Sequence, residues 1–202
     1  MADLALPDMS PWAGLWRRGR FGHALGEPGL DIAESERGSM ALMSARRGRT
    51  PDLARAAQDL GLTLPGPRAW TQDRGFVVLS TAPDQWLVRG PGSFSELAAG
   101  LEPLAPFAAV IDQSHARAVL TLSGPRLRDA LAKGFEIDLH PRTFRPGDVA
   151  VTVVAGVSAI LWQIDERPTF EVAVPRSMAG SFWHWLSESA AEYGYRVSTH
   201  DA

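Results

Sequence analysis

Ala118-Val-Leu-Thr-Leu122-Ser-Gly-Pro125-Arg-Leu-Arg-Asp-Ala-Leu131 is the stretch on which the fold class turns. Residues 118–122 form an apolar strand. Ser123-Gly124-Pro125 then turn the chain and cap a helix whose Leu127, Ala130 and Leu131 face inward, and Gly134 ends it. Beyond Asp138-Leu-His140-Pro141 come three apolar strands, residues 149–154, 157–164 and 170–174, with Asp165-Glu-Arg-Pro168 turning between the last two. A final helix opens at Ser177 and puts Met178, Phe182, Trp185, Leu186 and Ser189 on one face before Gly194.

The preceding stretch has a similar order. Met40-Ala-Leu-Met43 is a short strand. Thr50-Pro51-Asp52 opens a helix: threonine is expected to accept orphan amide bonds, proline suits the first turn, and aspartate complements the dipole. Leu53, Ala56, Ala57 and Leu60 share its inner face, Gly61 supplies a left-handed stop, and residues 62–67 are a loop. Residues 76–79 and 86–88 pair as strands around Thr81-Ala-Pro-Asp84. A second helix follows Gly92-Ser93 with Phe94, Leu97, Ala98, Leu101 and Leu104 at helical spacing, and residues 107–111 are another strand. Each half therefore reads strand–helix–strands–helix. The expectation is an α+β protein of duplicated ferredoxin-like units, with mixed sheets and helices on one face. Residues 38–202 form one body in two similar halves, 38–113 and 114–202. Residues 1–37, rich in proline and glycine and without a sustained period, read as an extended N-terminal arm.

Composition removes several function classes. With no cysteine, the chain holds no disulfide, zinc–thiolate or iron–sulfur site of its own. A net charge of −3 argues against general nucleic-acid binding. The stretch 149–164 is too short and polar to span a membrane, and the N-terminus lacks the pattern of a secretory signal, so a cytoplasmic location is expected. Lys133 is the single lysine among twenty basic residues. Arg37, Arg46, Arg47, Arg49 and Arg55 face only Asp52 within their stretch, which reads first as a solvated basic face and second as a docking site for an acidic partner.

Catalytic patterns are thin. No nucleotide-binding glycine motif is present. Asp112-Gln-Ser114-His115 brings three catalytic residue types together in sequence, but a triad needs hydrogen-bond geometry, and a strand-end turn is the better reading. Asp138 and His140 lack a third metal ligand nearby, and His184, between Trp183 and Trp185, reads as a surface residue. No catalytic, cofactor-binding or metal-binding residue is assigned. The N-terminal aromatics are different. Trp12, Trp16 and Phe21, with Arg17 and Arg18, combine large rings and guanidinium groups, residue types enriched at interfaces, and are taken as partner contacts.

Three segments together carry a family resemblance. They are Leu60-Gly-Leu-Thr-Leu-Pro-Gly66, then Ala82-Pro-Asp-Gln-Trp-Leu-Val88, then the series Asp112-Gln-Ser-His-Ala-Arg117, Leu122-Ser-Gly-Pro125, Ile137-Asp-Leu-His-Pro141, Phe170-Glu-Val-Ala-Val-Pro175 and Ser181-Phe-Trp-His-Trp-Leu186. In this order they resemble the γ subunit of heterotetrameric sarcosine oxidase, a family similar in fold to the folate-binding aminomethyltransferase of the glycine cleavage system. The resemblance implies a non-catalytic structural subunit, with α, β and δ subunits as partners and no role at nucleic acid or membrane. The complex it implies demethylates sarcosine oxidatively to glycine and passes the one-carbon unit to tetrahydrofolate. FAD, FMN, NAD, zinc and tetrahydrofolate are expected in the other subunits and no cofactor in this chain. The aminomethyltransferases place a glycine pair and paired aspartates in a hairpin where this chain has Ala155-Gly-Val-Ser-Ala-Ile-Leu161, without a carboxylate to orient a pterin. The alternatives are the equivalent subunit of a related N-methyl-amine dehydrogenase, such as one acting on N-methylglutamate, an independent folate-binding enzyme, and a polyanion-binding module using the arginine-rich stretch.

Overall fold

The structure is a computed structural model that describes residues 10–23, 26–36 and 38–198; Arg37 of the arginine-rich stretch lies outside them. In chain order the elements are β1 (Gly19–Phe21), β2 (Leu30–Glu34), β3 (Ser39–Ala45), α1 (Thr50–Asp59), β4 (Trp70–Asp73), β5 (Phe76–Ala82) and β6 (Gln85–Gly90). There follow α2 (Phe94–Leu101), β7 (Ala108–Asp112), β8 (Arg117–Ser123), α3 (Leu127–Leu131), β9 (Val149–Val154), β10 (Val157–Asp165), β11 (Thr169–Pro175), α4 (Ala179–Ala191) and β12 (Tyr195–Ser198).

The first half is a ferredoxin-like unit. Its strands lie in the order β4-β5-β6-β3-β7, every pair antiparallel, with β4 added at the edge. The second sheet runs β1-β12-β2-β8-β11-β10-β9. Without β1, β2 and β9 this is the same β–α–β–β–α–β plan. β2 is wedged into it, parallel to β12 and antiparallel to β8, and this makes the second sheet the mixed one. The described part of the stretch expected as an arm, residues 10–23 and 26–36, therefore corrects to part of the second half. Leu30 and Ile32 point into its core, with Ile32 opposite both Leu122 and Val197.

The Leu122-Ser-Gly-Pro125 junction makes room for this insertion. Gly124 has φ +123°, and a Cβ there would stand 2.4 Å from the Gly29 carbonyl oxygen. That oxygen accepts the Arg126 amide at 3.1 Å, fastening the start of β2 to the turn before α3. Ser123 caps nothing: α3 is a five-residue helix with Arg126 at its N-cap and no side-chain cap bond.

The helices cover the outer faces of two stacked sheets. Leu53 and Ala57 of α1 and Leu97 and Leu101 of α2 pack on Ala41, Met43, Val78 and Val88 of the first sheet. Leu127 and Leu131 of α3 and Phe182 and Leu186 of α4 pack on Leu120, Leu122, Leu161 and Val172 of the second. Between the sheets lie Met40, Leu79, Leu87, Val119, Ile160, Trp162 and Ala173. β10 and β11 are thus buried on both faces, which is why they read as apolar runs rather than alternations. Among the described residues no helix is long and apolar enough to cross a membrane.

Helix boundaries follow local chemistry, with two corrections. Thr50 sits inside the first turn of α1, Arg49 occupies the N-cap, and the Thr50 hydroxyl donates to Asp84 Oδ1 at 2.7 Å. The final helix is preceded by a 3₁₀ turn over Arg176–Met178 and begins at Ala179 rather than Ser177. Gly61 has φ +75° and its amide bonds Gln58 O at 2.8 Å, so it closes α1 as expected. At α2, Ser93 and Glu96 form a reciprocal capping box: the Ser93 amide donates to Glu96 Oε2 at 2.7 Å and the Glu96 amide to Ser93 Oγ at 3.3 Å. These Ser93 bonds hold the Glu96 carboxyl below its ordinary pKa. Its contribution is therefore full above the ordinary glutamate range and is lost as pH falls through the lowered value. Ser93→Ala is expected to cost about 1 kcal/mol in urea unfolding at neutral pH. The gap from wild type should narrow in acid; a gap that widens there contradicts the assignment.

Candidate functional site

The polar clusters that looked catalytic in sequence are spent on turns. Asp112 Oδ1 accepts the Ser114 amide at 2.8 Å. The Ser114 hydroxyl accepts the Met40 amide at 3.1 Å and donates to Met40 O at 3.4 Å, so it closes the end of β7 onto β3. Asp138 accepts the His140 amide and the Thr143 hydroxyl, each at 2.8 Å, while His140 Nδ1 accepts the Arg142 amide at 3.2 Å. These bonds lower the Asp138 pKa, the His140 amide first. Among the described residues no group of three histidine or carboxylate side chains gathers as a metal site. His184 is exposed on α4.

The hairpin between β9 and β10 turns at Ala155 and Gly156, both with positive φ. Its residues serve packing: Ala159 and Leu161 face the helix-side core, and Ile160 and Trp162 face the other sheet. Residues 155–161 carry no carboxylate, and the first one on β10 is Asp165 at its end, which accepts the Thr169 amide at 3.2 Å.

The residues taken as partner contacts separate. Trp12 is fully buried in the chain's own core, stacked on Trp16 at 5.5 Å and tilted against Phe182 at 6.4 Å, which corrects its assignment to an interface. Trp16 is half-buried with its ring edge-on to Trp183 at 5.2 Å. Phe21 stacks on Tyr195 at 5.5 Å and keeps 36% of its surface exposed. Arg17 and Arg18 are exposed beside them. The surface left here is the outer side of Trp16 and Phe21, the exposed Leu15 and the two arginines.

The arginine-rich stretch is largely engaged locally. Arg46 Nε bonds Ala105 O at 3.2 Å, while Arg49 and Arg55 pair with Asp52 at 3.2 and 2.9 Å.

Three features escape a reading of sequence. Arg89 of β6 reaches across to Glu171 of β11 at 2.9 Å, and both side chains are 12% exposed. Ser35 and Thr121 donate to the same carboxylate, Arg89 Nη2 donates to Ser35 Oγ at 3.0 Å, and the guanidinium lies over Trp162. A second arginine, Arg128, ties the loop before β9 to the sheet: it donates to Leu139 O, to Phe144 O at 3.3 Å and to Gln163 Oε1 at 2.9 Å. The third is a cleft of about 780 Å³ between the ends of β2, β3 and β8 and the start of α2. Met40, Phe94 and Val119 give it apolar wall, Ser35 and Ser114 hydroxyls, and Arg117 a charge. A wider cleft of about 950 Å³ lies on the opposite flank, between Trp86 and Val151. The one legible signal was a lone Glu171 inside the apolar run of β11.

Residues 47–192 match the model of the sarcosine oxidase, gamma subunit family. The chain belongs to that family. Curated relatives include the sarcosine oxidase subunit gamma of Arthrobacter sp., 35% identical over 125 residues, or 59% of each chain. That of Corynebacterium sp. (strain P-1) is likewise 35% identical over 126 residues and 59% of each chain. The matched region thus spans about three fifths of these family members. In three dimensions the chain is similar to a chain of heterotetrameric sarcosine oxidase from Corynebacterium sp. U-96, solved in complex with pyrrole 2-carboxylate. The TM-score is 0.74 at 27% identity, covering 84% of this chain and 87% of that one. The glycine cleavage system aminomethyltransferase T from Bartonella henselae shares the fold, with TM-score 0.60 at 14% identity over 85% of this chain and 48% of that one.

Proposed function

We propose that this chain is the γ-type subunit of a heterotetrameric sarcosine oxidase and acts in it as architecture rather than as a catalyst. The family match over residues 47–192 carries this reading, and the structural likeness to a chain of the Corynebacterium complex supports it. The site chemistry agrees. The hydroxyl of Ser114 and the carboxylates of Asp112 and Asp138 are engaged in turns, and residues 155–161 of the β9–β10 hairpin carry no carboxylate to orient a pterin. The partners are α, β and δ subunits, and these carry FAD, FMN, NAD, zinc and the folate site, with none of these groups in this chain. The complex demethylates sarcosine to glycine and delivers the one-carbon unit to tetrahydrofolate.

Affinity purification of the chain from its host, with identification of co-purifying chains and a visible spectrum, tests this. Two large flavin-bearing chains and a small fourth chain are expected, with flavin absorbance and sarcosine-dependent turnover. A colourless monomer that binds tetrahydrofolate by itself would replace the scaffold with an independent folate-binding protein.

A further inference from the structure

The cleft of about 780 Å³ is lined in part by Arg117, one of whose nitrogens is buried without a hydrogen-bond partner among the described residues. Arg117 opens β8 on the face that also carries Val119, so its stem runs into the seam between the sheets. Its Nε is sealed from solvent and has no hydrogen-bond partner among the described residues, while the residue as a whole is half-buried. Burial lowers the Arg117 pKa with no opposing contribution from a carboxylate. The contrast with Arg89 is direct, since that arginine has Glu171 at 2.9 Å. A buried donor left without an acceptor is unfavourable, and an acceptor brought up to the rest of the guanidinium from outside the chain relieves the local desolvation.

We propose that this cleft receives an acidic side chain of a partner subunit, whose carboxylate supplies the missing counter-charge to Arg117. The inference rests on the subunit reading above and gives it a place on the surface. Charge and shape select the occupant. Met40, Phe94 and Val119 provide an apolar wall for a side-chain stem, and Arg117 lines the same cleft. Glu34, Glu36 and Asp112 also line the cleft, together with Arg176 and His115, and the three carboxylates disfavour a small anion arriving alone. A carboxylate carried by a docked chain meets the same repulsion at high effective concentration, with its translational cost already met by the rest of the interface.

The test uses the full chain and its complex. Wild-type chain is first captured with its larger partners and its affinity for them measured; Arg117→Met and Arg117→Lys are then compared, and thermal unfolding of each chain alone is recorded. Arg117→Met is expected to weaken assembly about tenfold or more, and Arg117→Lys less. The melting temperature of the Arg117→Met chain alone should stay level or rise, because a buried donor without an acceptor has been removed and no described partner is orphaned. Unchanged affinity of Arg117→Met overturns the proposal, as does a weakened assembly accompanied by a lower melting temperature. If acetate stabilises the wild-type chain but not Arg117→Met, and assembly is indifferent to the substitution, the cleft takes a free carboxylate and the partner assignment falls. A wild-type chain that captures no larger chain fails the subunit reading before any variant is compared, and the proposal with it.

Discussion

Trp12→Ala is expected to destabilise the folded chain by about 3–5 kcal/mol, a large share of the stability of a domain this size. Trp12 has no exposed surface, and its ring fills the space between Trp16 and Phe182 of α4. Alanine leaves a cavity that backbone fixed on both sides cannot close. Trp12→Phe should cost far less, since it keeps an aromatic ring and removes an indole Nε1 that has no hydrogen-bond partner among the described residues. Urea unfolding followed by far-ultraviolet circular dichroism separates the possibilities without depending on tryptophan fluorescence. A Trp12→Ala chain with the wild-type midpoint but impaired assembly would return the residue to an interface and contradict its placement in the core.

The second large effect is expected at Glu171. Glu171→Ala leaves Arg89 buried without a counter-charge and removes the acceptor used by Ser35 and Thr121. Breaking such a pair on one side costs about 3–5 kcal/mol, because the remaining charge stays desolvated. The double variant Arg89→Met with Glu171→Leu should recover most of that loss, since both charges leave together and only the Ser35 and Thr121 hydroxyls lose an acceptor. Equal midpoints for the single and double variants would mean that the hydrogen bonds of Ser35 and Thr121, not the ion pair, dominate. Because the pair joins β6 of one sheet to β11 of the other, the single variant should also loosen the contact between halves. Faster amide exchange along both strands would report it.

The elements that sequence revealed are those whose side-chain pattern is set by neighbours close in the chain. α1, α2 and α4 announced themselves by helical spacing, and the β5–β6 and β10–β11 hairpins by apolar runs around turn residues. The elements that escaped owe their structure to distant segments. β2 offers only Leu30 and Ile32 as apolar positions, flanked by Pro28 and Gly29, and becomes a strand because β12 and β8 stand ready on either side. β4 is a polar edge strand, and β12 a four-residue alternation of Tyr195 and Val197 with polar neighbours. The same limit governed the site. Trp12 and Trp16 had the residue type of an interface anchor, but the surface they cover belongs to α4, far along the chain. Arg89, Arg117 and Glu171 gain their meaning only where the two sheets meet, and no spacing between them in sequence encodes that meeting.

The wedged position of β2 also sets an order of events during synthesis. β3 to β7 lie within one contiguous stretch, so the first sheet can assemble from local contacts as soon as that stretch is free. The second sheet has no such freedom: residue 30 pairs with residue 195, and β8 lacks one neighbour until β2 is seated. Closing that long loop carries an entropic cost before any contact repays it. During the wait, the faces of Leu79 and Leu87 have no second sheet to cover them and remain open to other chains. A ribosome-bound intermediate with the first sheet formed and the second unmade should therefore accumulate and recruit chaperones, and slowing translation after residue 112 should prolong that exposure rather than relieve it.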